Sequence, residues 1–193
     1  MSAFLGPIHF WLYNKIGKQE ELTKAIASHA ISKGWIDDKS PYIKDLPALE
    51  SVIDESNIHG WLQNNIHDAE GRYARLIFAI TNGNDERMED ILQIATEYGK
   101  QNSVESDASP KEIYRTFEDF FVNGMPCDRV NALGEESKDE LSWYMTQDIH
   151  AQYWVDGASP YYAIRRSVMD GMLFNTPYQL FSPDDAHYTI KKK

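Results

Sequence analysis

The apolar residues of this chain change period part way along. Before about residue 124 they recur every three to four positions, the spacing of a helix face. Beyond about residue 140 they alternate, the spacing of a half-buried strand. Helices gathered in one half and strands in the other exclude a woven βαβ layout and give an α+β class. The expected architecture is a bundle of three to four helices packed with a small antiparallel sheet, itself two hairpins joined by a helix. The chain has 193 residues, enough for a core without disulfides or metal. It is expected to form a single domain over residues 1–193, with a mainly helical part at 1–124 and a mixed hairpin and helix part at 125–193.

Caps and breakers set the elements. Pro7 suits a first helical position, and the helix it opens is expected to run to about Lys33 and stop at Gly34. Leu5, Ile8, Leu12, Ile16, Ile26 and Ala30 share one of its faces, with Gln19 and Thr23 in the middle of that face and Glu20 at its edge. After a loop at 34–46, a second helix is expected from near Pro47 to about Ile80, its apolar face running from Ile58 to Ile80 with Glu55 and His59 on or beside it. A third, shorter helix carries Met88, Ile91, Ala95 and Tyr98, and Ser109-Pro110-Lys111-Glu112 opens a fourth with a capping box. Leu141, Trp143 and Met145 then alternate with polar or exposed positions, with residues 129–133 as partner strand. Ser159-Pro160 opens a last helix, and residues 178–181 and 188–190 flank a hairpin loop at Ser182-Pro183-Asp184-Asp185.

Charge narrows the partners. Asp and Glu number 30 against 19 Lys and Arg, a formal net charge of −11. Such a chain repels phosphate backbones and anionic membrane surfaces, so neither nucleic acid nor membrane is an expected partner. Residues 1–12 lack the basic and unbroken apolar stretches of a secretory leader, and the longest apolar run, residues 76–80, is far too short to span a bilayer. With a single cysteine, Cys127, no intrachain disulfide forms. A cytoplasmic location is the expectation.

Two constellations carry candidate chemistry. If the first two helices form an antiparallel hairpin, residues whose numbers sum to about 80 lie level. That gathers Glu20, Glu55 and His59, with Gln19 and Gln63, into one polar layer able to hold a divalent metal or a small polar ligand. The plainer alternative is a hydrogen-bonded seam that fixes helix register. On the same geometry His9 lies roughly 16 Å along the helix from Glu20 and does not meet His59. The second constellation rests on the first hairpin. With its turn near residues 137 and 138, Cys127 faces Asp148, and His150 points to the same side. The expected roles are a Cys127 thiolate nucleophile, a His150 base and an Asp148 orienter. A packed, inert cysteine is the plainer alternative, and a register slip of one residue sends Cys127 to the other face. Arg165-Arg166 offers a clamp for a carboxylate, with one of the two pointing outward.

From about Tyr144 onward the order of elements resembles that of the L-2-amino-thiazoline-4-carboxylic acid hydrolase-like proteins. The resemblance rests on Trp143-Tyr144-Met145-Thr146, on the helix carrying Met169-Asp170-Gly171 and on the closing hairpin through Tyr188-Thr189-Ile190, about a quarter of the chain. It implies hydrolytic chemistry on a small molecule. That family places cysteines after the strand threonine and before the helix aspartate, where this chain has Gln147-Asp148 and Ser167-Val168-Met169, so no catalytic residue carries over. Three functions follow as expectations: a protein that binds or transforms a small polar molecule with hydrolase-like chemistry at Cys127, His150 and Asp148; a helix-bundle protein binding a divalent metal; or a non-catalytic homo-oligomer built on its aromatic surface.

Overall fold

A computed structural model describes residues 5–193; residues 1–4, part of the stretch read above for a leader, lie outside them. The elements run α1 (Pro7–Ser32), α2 (Ile58–Thr81), α3 (Arg87–Gln101), α4 (Pro110–Phe120), β1 (Asn131–Glu136), β2 (Glu140–Met145), α5 (Ser159–Met172), β3 (Tyr178–Phe181) and β4 (His187–Lys192). The class is α+β, with helices mostly before the strands.

Local chemistry explains most boundaries. α1 starts at Pro7, with the Gly6 amide donating to His9 Nδ1 at 2.9 Å. α4 has the expected capping box, in which the Ser109 amide donates to Glu112 at 2.8 Å. α2 begins eleven residues later than the sequence suggests. Asp54 accepts from the Ser56 amide at 2.9 Å, and Asn57 caps the helix by accepting from the Gly60 amide at 3.1 Å. These local bonds compete with helix for residues 47–57, which instead hold a short 3₁₀ turn at Leu49–Ser51.

The first two helices run parallel, not antiparallel. Tyr13 meets Trp61 at 5.9 Å between ring centroids, Glu20 pairs with Arg72, and Ile26 and Ala30 share a core cluster with Leu76 and Ile80. Contacts that advance together along both helices require parallel axes. The intervening segment travels back alongside them. In chain order, Lys39 donates to Ser28, Tyr42 O accepts from Arg72, Asp45 accepts from Lys24, and Pro47 O accepts from Tyr13. The 26-residue α1 is roughly 39 Å long, a span that the extended return segment covers with chain to spare.

The two hairpins join through β2 and β4 into one antiparallel sheet of order β1-β2-β4-β3. Leu141, Trp143, Met145, Tyr188 and Ile190 are buried on its inner face. Trp143 pairs with Tyr188 in register and stacks on it at 5.1 Å, while Phe117 of α4 covers the indole. α3 and α5 cross through two glycines. A Cβ on Gly99 would lie 2.1 Å from Val168 O, and one on Gly171 would lie 2.1 Å from Thr96 O. Among the described residues no helix is long and apolar enough to cross a membrane.

Candidate functional site

The site forms where the chain leaves β2 and turns back onto α2. Asp148 Oδ1 accepts from the backbone amides of His150 at 2.9 Å and Ala151 at 3.0 Å, and from the Tyr162 hydroxyl at 2.7 Å. That carboxylate ties down the backbone leading into the 3₁₀ turn Ala151–Tyr153, where the His150 side chain is turned inward to 1% exposure. The imidazole Nδ1 lies 3.2 Å from Glu70 Oε2, itself buried on α2. Tyr161 of α5 stacks on the ring at 3.8 Å between centroids, and Tyr162 meets it edge-on at 5.9 Å. With the Glu70 carboxylate accepting, the hydrogen of this contact sits on Nδ1, and the packing of two tyrosine rings fixes the imidazole plane.

The polar groups are not all spent. His150 Nε2 and Glu70 Oε1 are buried and, among the described residues, have no hydrogen-bond partner. Both residues line a cavity of about 80 Å³, together with Gln63, Gly124, Asp128 and Tyr153. That is room for more than one water or a small reacting group. Burial, reinforced by the Glu70 charge, pushes the Tyr153 phenol up to about 12, so it keeps its proton at neutral pH. Its oxygen touches His67 Nδ1, while His67 Nε2 lies 3.0 Å from the Gln63 amide. With the amide donating to Nε2, His67 Nδ1 donates to the phenol oxygen, and the Tyr153 hydrogen is left to point elsewhere. Tyr153 also lines a larger groove of about 510 Å³, bounded by Tyr42, Arg75, Phe78 and Trp154. The groove has the size of an ordinary ligand pocket, and the small cavity has the acid–base groups; one tyrosine belongs to both.

The residues singled out from sequence fall in several places. Asp148 works on backbone amides and a tyrosine hydroxyl, whereas the carboxylate on the imidazole is Glu70. Cys127 lies in the 3₁₀ turn Pro126–Asp128, exposed, with Sγ 3.8 Å from Asp128 Oδ1. It lines a separate cavity of about 180 Å³ with His9, His59 and Met125. The physical reason is strand length. The β1–β2 ladder pairs Asn131 with Met145 and ends with Thr146 donating to Val130 O; Arg129, at φ +48°, turns the chain away before Cys127.

The proposed metal layer is dispersed by the parallel packing. Glu20 is buried and taken by the Arg72 guanidinium, whose Nη1 donates to it at 2.9 Å. Glu55 sits exposed in the turn before α2, and His59 is exposed in the first helical turn. Among the described residues no group of three or more His, Cys, Asp or Glu is placed to hold a metal ion. The same packing brings His9 and His59 to one cavity, which the antiparallel expectation had kept apart.

Glu70 is the residue the sequence reading missed, although a signal was present. It falls four positions after Ile66 and three before Tyr73, inside the apolar stripe of α2, and a carboxylate there needs a buried partner. No protein-family model, curated protein or solved structure matches this chain.

Proposed function

We propose that this protein transforms a small polar molecule by acid–base chemistry at His150, with hydrolysis as the reaction class. The observation that carries this is the unpartnered Nε2 of a buried imidazole whose other nitrogen is held by Glu70 and whose ring faces a cavity. In the neutral ring, Nε2 bears the lone pair. It takes a proton from a water in the cavity as the water oxygen bonds to an electrophilic carbonyl carbon. When the bond from that carbon to the leaving group breaks, Nε2 returns the proton to the leaving group. Glu70 stabilises the imidazolium formed between these steps. The Tyr153 hydroxyl is the donor available for the developing oxyanion, and the groove beyond it receives the body of the substrate.

A thiol mechanism at Cys127 draws less support, because the thiol and the imidazole line different cavities. Hydrolysis of p-nitrophenyl acetate by the purified chain separates the two readings. His150→Gln is expected to lower the protein-dependent rate by about 10²–10⁴-fold, and Cys127→Ala to leave it unchanged. A rate indifferent to His150→Gln would overturn the proposal, and one abolished by Cys127→Ala would restore the thiol.

A further inference from the structure

The two adjacent arginines of α5 have opposite surroundings. Arg166 reaches outward and donates to Asp185 at 2.7 Å. Arg165 is 3% exposed, and among the described residues no carboxylate lies within 4.0 Å of it. Its Nη1 donates to Asn123 Oδ1 at 2.8 Å and approaches the Tyr161 hydroxyl at 3.4 Å, while Nε has no acceptor among the described residues. Glu118 is the acid whose charge reaches Arg165, and it does so through a neutral relay, accepting from the Asn123 amide at 3.1 Å. Phe121 covers the guanidinium plane at 4.7 Å.

A buried guanidinium without an ion pair is costly, and the usual remedy is a counter-charge with matching geometry. The space for one exists. Arg165 lines a cavity of about 30 Å³ with Lys18, Gln19, Tyr73, Val122 and Tyr161. Gln19 Nε2, on α1, is a second buried donor with no acceptor among the described residues. Lys18 at the rim is already engaged by Glu21 and Asn102. The unmet groups around this cavity are therefore donors, arriving from two different helices, and among the described residues no acid lines it.

We propose that this cavity is a binding subsite for a small carboxylate, held by Arg165 Nε and Gln19 Nε2. A planar monoanion matches the guanidinium edge and balances its one charge, whereas a phosphate dianion would bring a second charge with only Lys18, already held by Glu21 and Asn102, at the rim to meet it. The subsite shares Val122 with the His150 cavity, and its Tyr161 stacks on the imidazole from outside that cavity; it uses neither His150 nor Glu70, so it stands apart from the catalytic proposal.

The test is calorimetric titration of the full chain with sodium acetate at constant ionic strength, with chloride and inorganic phosphate as parallel arms. Acetate is expected to bind saturably and more tightly than either. Gln19→Leu is expected to weaken it by about tenfold, the loss of one hydrogen bond to a charged group, and Arg165→Gln to abolish it. Should Arg165→Gln fail to fold, Gln19→Leu decides the matter with the guanidinium still in place. His150→Gln is expected to bind acetate as the parent does, so a failure of the subsite and a failure of the catalytic reading are separately visible. Absence of saturable acetate binding, phosphate or chloride binding as tightly, or parent-like affinity in Gln19→Leu would each overturn the subsite.

Discussion

Lys15 shows how a single side chain writes itself into the pH dependence of stability. It is 2% exposed on α1, its ammonium 4.0 Å over the Trp11 ring, and burial brings its pKa down to about 8, the attraction of Glu118 opposing and the nearby Arg165 charge adding. Between about 8 and the ordinary value of 10.5 the unfolded chain binds the proton and the folded chain does not. Stability therefore rises with pH through that window. Below it the folded state carries the full penalty, on the order of 3–4 kcal/mol at about 1.4 kcal/mol per unit. Tyr98 and Tyr162, raised by burial and by hydrogen bonds to Glu21 and Asp148, act in the opposite sense once unfolded tyrosines ionise near 10. Urea unfolding at pH 7 and 9 is expected to show Lys15→Met more stable than the parent at pH 7, with the difference shrunk at pH 9. A pH-independent difference would put the effect in packing. The buried Glu20–Arg72 pair gives a second residue-scale expectation: Arg72→Leu strands a buried carboxylate and is expected to cost about 3–5 kcal/mol, while the double change with Glu20→Leu recovers most of it. A double-mutant cycle in chemical denaturation measures both.

At the scale of elements, the caps and periods were legible and the partnerships were not. Pro7, Ser109-Pro110 and Ser159-Pro160 announce helix starts that the structure reproduces, within a residue for α5. The alternation at Leu141, Trp143 and Met145 announces β2. Apolar stripes, however, say which face is buried and not which way the neighbouring helix runs. A long connection allows either direction, and here Pro47 to Asn57 stays irregular and lets the chain return to the start of α1 before α2 begins. That one choice moved Glu20 from His59 to Arg72, and it explains why the metal layer read from sequence does not assemble. The register of β1 with β2 was close to the expected one, but its extent was not readable, because a strand end set by Arg129 at positive φ has no period to betray it. The glycines of α3 and α5 also lacked a sequence signal. Gly99→Ala or Gly171→Ala forces the two backbones apart, with an expected cost of about 2–3 kcal/mol or more. Thermal unfolding is expected to show a fall of about 4–10 °C for either change, and a loss under 1 °C would mean the crossing is looser than described.

At the scale of the whole molecule, the helical part and the part that follows it contribute complementary groups to one place. α2 supplies Glu70 and Gln63, the turn after β2 supplies His150 and Tyr153, and α5 supplies Tyr161, which stacks on the imidazole. Neither half of the sequence carries the constellation alone, so it was invisible until the halves were docked. His150 was recognisable as a candidate base, but its partner lay 80 positions away. The central claim is that Glu70 engages the Nδ1–H of the buried imidazole and leaves Nε2 free to take a proton. Long-range ¹H–¹⁵N NMR of the full chain at pH 8.5 reads this directly. The expected spectrum assigns His150 a protonated Nδ1 and an unprotonated Nε2, with that preference lost in Glu70→Gln. A proton on Nε2 in the parent, in either the tautomer or the imidazolium, would contradict it.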